Sequence, residues 1–255
     1  MITAGIDLGS HVAKGVILNG DTIAGRAVLT VGWDAKSSTH EVLEEAVRDA
    51  GIDRSRIQRI IATGGSRRDV AFADDMATEV ATAAKGINFL YPSVRTVIDI
   101  GAEGSRTIKC DDNGRALDFA KNDKCAAGVG AFVEAMARAL EVELEDMGAL
   151  SLQSVKQIPM NATCSVFAES EVVSLIHAKT EKADIAHAIH DAIATRATAM
   201  TRRVGIEKDV AFIGGTAMNV GLVEDLKRHL ELDSLLVPDE PQIVVAIGAA
   251  LLARS

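Results

Sequence analysis

A repeated strand–turn–strand pattern constrains the fold of this chain more than any other feature. GIDLGSHVAKGVI near the start resembles VIDIGAEGSRTIK from Val97 onward. Each copy is an apolar strand that ends in Ile-Asp-x-Gly, followed by a tight turn and a second strand. The duplication predicts two similar lobes that face one cleft, with the first lobe over residues 1–94 and the second over residues 95–255. The last helix can pack back on the first lobe.

The rest of the chain alternates strand patterns with helical patterns. Apolar spacing predicts short strands over 59–63, 210–213 and 235–237, and helices over 39–50, 77–89, 126–140, 167–177, 185–204, 221–230 and 242–253. Apolar residues make up 48% of the chain, whereas aromatic residues make up only 3%. This composition is typical of a buried sheet covered by Ala-rich helices, so the expected fold class is α/β.

Charge and hydropathy exclude several classes of function. The net charge is −9, and proteins that bind nucleic acid or an anionic membrane surface usually carry a positive balance. Apolar runs stay well below the ~20 residues that a membrane span needs. The first residues form a strand pattern and lack the basic region that begins a signal peptide, so no signal peptide is expected. Three cysteines do not suggest a disulfide framework, and a cytoplasmic protein is expected.

The repeated turns have the residues that bind phosphate and a divalent cation. Gly9 lets a phosphate approach the backbone, Ser10 donates hydrogen bonds, and Asp7 can hold a hydrated Mg²⁺. Lys14 adds a positive charge if its side chain points inward. A single Asp-x-Gly is also explained by turn chemistry alone. The second copy at Asp99 and a later Gly-Gly pair, Gly214–Gly215, favour the phosphate interpretation.

Two of the three cysteines precede predicted helices. Cys125 and Cys164 would each lie at a helix N-terminus, where the helix dipole stabilises a thiolate or an anionic iron–sulfur cluster. One chain offers only two such sulfurs, and a four-iron cluster usually needs four, so two subunits would have to share it. From these local features alone, a pair of buried structural cysteines is the favoured interpretation. Cys110 ends a strand and is interpreted as structural.

Three histidines stand in or near the long predicted helix, at helical spacings. His177, His187 and His190 are expected to face solvent or to support packing. A metal site among them is the alternative, although no further cluster of ligands accompanies them in the sequence.

The turns resemble the phosphate and adenosine motifs of the actin/Hsp70/sugar-kinase superfamily. This resemblance implies two ribonuclease-H-like lobes that close on ATP and Mg²⁺. It also implies three motifs: phosphate-1 at Asp7, Gly9 and Ser10, phosphate-2 at Asp99 and Gly101, and a nucleoside contact at Gly214 and Gly215.

Longer motifs resemble one family within that superfamily. NDKCAAG-x-G-x-F-x-E and C-x-VFAESEV are similar to signatures of the ATPase activators of 2-hydroxyacyl-CoA dehydratases and the ATPase subunits of benzoyl-CoA reductases. The similarity covers essentially the whole chain. It implies ATP-driven electron transfer through a [4Fe–4S] cluster that Cys125 and Cys164 hold with a second ATPase subunit. The implied partners are a ferredoxin or flavodoxin donor and a CoA-thioester reductase or dehydratase.

Departures from the activator pattern favour one of the two branches of the family. The phosphate-2 turn reads Gly-Ala-Glu-Gly from Gly101, where the activators usually have Gly-Gly-Gln-Asp. A Gly-Ala pair at this position is more like the ATPase subunit of benzoyl-CoA reductase. The expected function is therefore that of such a subunit, and the alternative is a homodimeric activator of a 2-hydroxyacyl-CoA dehydratase. Glu103 is the candidate residue for positioning the attacking water. A small-molecule kinase or an actin-like assembly protein would leave the paired cysteines unexplained.

Overall fold

The computed structural model describes residues 1–122, 130–160 and 165–254, so the predicted cluster ligands Cys125 and Cys164 lie outside the described residues. The chain divides into two compact units. The first comprises residues 1–97, 109–117 and 238–255, and the second comprises residues 98–108 and 118–237. The last helix therefore belongs to the first unit, as does segment 109–117, which the sequence-based division placed in the second lobe.

The first unit is built on a twisted mixed sheet. Its strands are β1 (Ile2–Leu8), β2 (Val12–Asn19), β3 (Thr22–Thr30), β4 (Arg59–Thr63) and β5 (Asp75–Met76), and its helices are α1 (Ala35–Ala50), α2 (Glu79–Leu90) and α8 (Val244–Leu252). The strand order is β3-β2-β1-β4-β5. The first three strands are antiparallel neighbours, whereas β4 is parallel to β1 and to β5.

Helices cover both faces of this sheet. α1 packs Val42, Leu43 and Ala46 against β1 and β2, while α8 packs on the other face against Val16 and Leu18. α2 and α8 approach closely at two glycines. A Cβ on Gly86 would overlap the carbonyl oxygen of Val244, and a Cβ on Gly248 would overlap that of Thr82. Glycine inside these helices, normally unfavourable, is explained by this backbone contact.

The second sheet repeats the same hairpin. Its strands are β6 (Thr96–Ile100), β7 (Ser105–Cys110), β8 (Ala116–Asn122) and β9 (Val210–Ile213), in the order β8-β7-β6-β9. The described helices of the second unit are α3 (Gly130–Ala139), α4 (Met147–Ser151), α5 (Ser165–His177), α6 (Lys182–Val204) and α7 (Val220–His229). One apolar cluster joins β6 and β9 to these helices, with Phe212, Met136 and Ile189 fully buried.

The sequence-based helices and strands are largely confirmed, with shifts of a few residues at their ends. α1 begins four residues earlier than the apolar spacing indicated, because Asp34 caps it by accepting a hydrogen bond from the amide of Lys36 at 3.1 Å. The predicted strand over 235–237 is reduced to one parallel bridge between Ala211 and Leu236. None of the helices in the described ranges is long and apolar enough to cross a membrane.

Candidate functional site

The first hairpin pairs its aspartate with a lysine. Strand register places Asp7 of β1 directly opposite Lys14 of β2, and Lys14 Nζ lies 3.1 Å from Asp7 Oδ2. Both side chains are mostly buried, with Lys14 at 16% and Asp7 at 8% exposed. Lys14 therefore points inward, which was the condition that the sequence left open. The turn is closed by a 3.1 Å hydrogen bond from Gly9 N to Val12 O, and Ser10 at its tip is exposed.

The second hairpin makes the same arrangement with an arginine. Arg106 Nη1 lies 3.1 Å from Asp99 Oδ2, and the two side chains are 14% and 6% exposed. Gly101 N donates to Gly104 O at 2.8 Å, which closes the turn, and Glu103 is exposed on it. The sequence-based site did not include Arg106. The repeat itself could have identified it, because Lys14 and Arg106 each stand seven residues after the aspartate of their copy.

Each unit also places a glycine pair behind its aspartate. Gly64 and Gly214 have φ angles of 97° and 91°, in the range that side chains disfavour. A Cβ on Gly64 would lie 2.6 Å from Asp7 Oδ1, and a Cβ on Gly214 would lie 2.7 Å from Asp99 Oδ1. Gly214–Gly215 was predicted as a site element from sequence, whereas Gly64–Gly65, which follows the strand predicted over 59–63, was not. The structure shows that the two pairs are equivalent.

The segment after Gly214 is supported by a buried polar network. Asn219 caps α7, its Oδ1 accepting from the amide of Leu222 at 3.1 Å, and its Nδ2 lies 3.0 Å from His190 Nε2. His190 Nδ1 in turn lies 2.9 Å from Ser151 Oγ. Because the Asn219 amide donates to Nε2, the imidazole proton belongs on Nδ1. Burial, followed by the nearby His187, lowers the pKa of His190 to about 4. The imidazole is therefore neutral at pH 7 and serves packing, as predicted.

The second hairpin turn is bonded directly to the start of α3. Gly130 N donates to Gly101 O, and Ala131 N donates to Ala102 O, both at 2.9 Å. A Cβ on Gly130 would also lie 3.2 Å from the methyl group of Thr216. The first turn of α3 thus contacts both the predicted phosphate-2 turn and the segment after Gly214.

The structure describes the surroundings of Cys110, whereas Cys125 and Cys164 lie outside the described residues and only the helices that follow them can be compared with the prediction. α5 begins at Ser165, directly after Cys164, so the helix predicted there is confirmed. For Cys125, the described part of the following helix begins at Gly130. Cys110 is buried and its Sγ lies 3.6 Å from the carbonyl oxygen of Val94. This environment fits the structural role that the sequence suggested.

Comparison with known proteins places the chain in a family. Residues 4–253 match the BadF/BadG/BcrA/BcrD ATPase family. The chain belongs to this family. The activator of lactoyl-CoA dehydratase from Anaerotignum propionicum is 41% identical, over 99% of this chain and 97% of that protein.

Two solved structures of activators superpose along the whole chain. The activator of the 2-hydroxyisocaproyl-CoA dehydratase from Clostridium difficile with bound ADPNP has a TM-score of 0.93 at 38% identity, covering 99% of this chain and 94% of that one. Component A of the (R)-2-hydroxyglutaryl-CoA dehydratase from Acidaminococcus fermentans has a TM-score of 0.95 at 37% identity, covering 99% and 97%.

More distant similarities bear on the fold class and on the branch of the family. A ROK family glucokinase from Streptomyces griseus has a TM-score of 0.62 at 11% identity, covering 100% of this chain and 99% of that one, which confirms the actin/Hsp70/sugar-kinase fold. One of the subunits of the benzoyl-CoA reductase from Thauera aromatica is 31% identical, over 98% of this chain and 92% of that protein. The dehydratase activators are more similar to the chain, so the alternative fits better than the expected benzoyl-CoA reductase function. A single Gly-Ala pair in one turn carried too much weight in that choice.

Proposed function

We propose that this chain is the ATP-hydrolysing activator of a 2-hydroxyacyl-CoA dehydratase, and that hydrolysis drives a low-potential electron to the dehydratase. The observation that carries the proposal is the bonding of α3, the helix that follows Cys125, to the turn after Asp99. Whole-chain similarity to three activators, at 37–41% identity, supports the choice of partner.

The two hairpins supply the charges that phosphate chemistry needs. Hydrolysis of ATP requires positioning and charge neutralisation more than a covalent nucleophile. Asp7 and Asp99 would orient the water shell of Mg²⁺, and Lys14 and Arg106 would neutralise phosphate oxygens. Each cation already lies 3.1 Å from its carboxylate, so it is held in place before a phosphate arrives.

The remaining site residues act through hydrogen-bond donors and shape. The amides of Gly9 and Gly101 close their own turns, so these glycines would act by letting a phosphate approach the backbone, and neighbouring donors such as the Ser10 hydroxyl would bond to it. A Cβ on Gly215 would meet none of the described atoms within 4 Å. That open position suits a flat nucleoside. Glu103, exposed on the second turn, is the candidate for positioning water. The phosphate and nucleoside contacts are proposed at Gly9, Ser10, Gly101, Gly214 and Gly215.

The cluster would be held by Cys125 and Cys164 from each of two copies of the chain, and it would supply the transferred electron. Four thiols from two identical subunits match the ligand number of a [4Fe–4S] cluster. The start of α5 at Ser165 places a helix N-terminus immediately after Cys164, which favours an anionic group. A ferredoxin or flavodoxin is the proposed donor of the electron.

ATP hydrolysis at the turn after Asp99 would be coupled to the cluster through contacts within the second unit. The amides of Gly130 and Ala131 are bonded to the carbonyl oxygens of Gly101 and Ala102. When the γ-phosphate leaves, a shift of this turn would therefore move the first turn of α3, which follows Cys125 in the chain. Rigid movement of a packed helix is an established way to convert a local phosphate contact into a distant change.

The test is activation of a partner enzyme under anaerobic conditions. The purified protein, a 2-hydroxyacyl-CoA dehydratase, ATP and a low-potential reductant should together dehydrate the 2-hydroxyacyl-CoA substrate, and replacing ATP by a non-hydrolysable analogue should stop activation. A parallel assay with the substrate-reducing subunits of a benzoyl-CoA reductase tests the other branch. Activation of the dehydratase without ATP, or by iron-free protein, would contradict the proposal.

A second measurement addresses coupling. An iron chelator should remove the cluster at clearly different rates in the presence of ADP and of an ATP analogue. Equal rates in every nucleotide state would disprove coupling through α3 even if the protein contains the cluster.

A further inference from the structure

An ionisable cluster lies between α6 and α7 in the second unit, on residues that the proposed activity does not use. His187 and Asp191 are four residues apart on α6, so they share one face of the helix. Asp225 reaches the same place from α7. One ligand atom from each of these three side chains lies within 4.8 Å of the other two.

One oxygen of this cluster is unsatisfied. Asp225 is buried, at 5% exposed, and its Oδ2 atom receives no hydrogen bond from the described residues. The nearest basic atom is His187 Nδ1 at 3.4 Å. A buried carboxylate oxygen without a donor is unfavourable and calls for a cationic partner.

The other carboxylate oxygens are oriented by an arginine. Arg228 Nη2 lies 2.7 Å from Asp225 Oδ1 and 2.7 Å from Asp191 Oδ1, and His229 Nε2 lies 2.8 Å from the same Asp191 oxygen. Two carboxylates therefore share one guanidinium. Arg228 fixes the orientation of both side chains, as partners of metal ligands commonly do.

We propose that His187, Asp191 and Asp225 form a binding site for a transition-metal dication of the Zn²⁺ type. In tetrahedral zinc sites with bonds of about 2.0–2.1 Å, neighbouring ligand atoms are about 3.3 Å apart, close to the 3.4 Å between His187 Nδ1 and Asp225 Oδ2. An imidazole with two carboxylates favours Zn²⁺ over Mg²⁺ or Ca²⁺, which prefer oxygen ligands alone. Water would complete the coordination at the half-exposed side.

The metal would add a bridge between two helices that already meet through apolar packing and through Arg228. α7 begins at Val220, directly after the cap Asn219 and the segment that follows Gly214. A metal bridge from α6 to α7 would therefore stiffen the support of the predicted nucleoside-binding segment. This site is independent of the cysteines and of the hairpin carboxylates.

The experiment is zinc binding by the full-length protein purified without oxygen. After dialysis against micromolar Zn²⁺, the parent chain should retain about one more zinc than His187→Ala, and His187→Ala and Asp225→Asn should bind zinc at least about tenfold more weakly. Asp233→Asn is the matched control, because Asp233 is an exposed carboxylate near Lys208. It should bind zinc like the parent. Thiols are common to all variants and cancel in the comparison.

Two further measurements make the result decisive. The parent should bind one zinc that His187→Ala does not bind. The difference between their X-ray absorption spectra should show nitrogen and oxygen ligands for this zinc, including one imidazole, and no sulfur. Zinc should also raise the melting temperature of the parent and of Asp233→Asn, but not that of His187→Ala, and the melting curve of His187→Ala without zinc shows whether that variant is folded. Equal zinc content in parent and His187→Ala, or sulfur coordination of the extra metal, would overturn the site.

Discussion

Replacing Gly214 by alanine tests whether the glycine pair exists to hold Asp99 in place. Gly214 has φ 91° and ψ 172°, a region that side chains occupy at a cost of about 1–3 kcal/mol. The added Cβ would also lie 2.7 Å from Asp99 Oδ1 and would overlap the carbonyl oxygen of Ile100. Such overpacking costs a further 1–3 kcal/mol, roughly. The expected loss of unfolding free energy is therefore about 2–6 kcal/mol.

The same protein contains a control for the backbone strain. Gly205 also has φ 91°, with ψ 132°, but a Cβ there would meet none of the described atoms within 4 Å. Gly205→Ala should therefore lose only the conformational part, about 1–3 kcal/mol. Urea unfolding of both variants, measured by far-UV circular dichroism, gives the two free energies.

Activity separates the two variants more sharply than stability. The new methyl group must push the Asp99 carboxylate away by several tenths of an ångström, and misplacement of about 1 Å can cost 100-fold in rate. We expect kcat/KM for ATP hydrolysis to fall at least tenfold, or about 1.4 kcal/mol, in Gly214→Ala and to stay near the parent value in Gly205→Ala. Equal ATPase activity in the two folded variants would refute the proposed role of Asp99.

Three further predictions concern other residues. Arg106→Met should leave a buried carboxylate without its guanidinium and lower both stability, by about 3–5 kcal/mol, and ATPase activity, whereas Arg106→Lys should retain much of both; equal losses in the two variants would argue against a charge role. Cys125→Ser and Cys164→Ser should each abolish iron binding while nucleotide binding, measured by calorimetry, survives; Cys110→Ser should keep its iron, and equal iron loss in all three would indicate packing instead. His190→Leu should remove the imidazole from Ser151 Oγ and from the partly buried Asn219 Nδ2 and cost about 2–4 kcal/mol in urea unfolding, and a change below about 1 kcal/mol would contradict the network.

Features that depend on neighbours in sequence were predictable. Asp-x-Gly turns and apolar periodicity are local, so the strands of both hairpins and the positions of most helices followed from the printed sequence, although the Asp34 cap of α1 was missed. The aspartates and the Gly214–Gly215 pair could be predicted as site elements because turn chemistry is encoded within a few residues. The motif around the cysteines was long enough to indicate the family, although one turn then favoured the branch that the comparisons support less.

Features that depend on contacts between distant elements were not predictable. The equivalence of Gly64 with Gly214 becomes visible only in the folded structure, where each glycine packs against the aspartate of its own unit. Arg106 could have been found by aligning it with Lys14 in the repeat, but its contact with Asp99 becomes visible only once the strand register is known.

The sequence by itself determined the repeated hairpins, the acidic balance and the family of this protein, because these follow from local patterns and long motifs. The tertiary structure alone decided which buried charges face each other: Lys14 with Asp7, Arg106 with Asp99, and His187 with Asp225. The physical reason is that a local pattern defines neither the register between two strands nor the rotation of one helix against another. A polar side chain therefore meets its partner only when the strands pair or the helices pack.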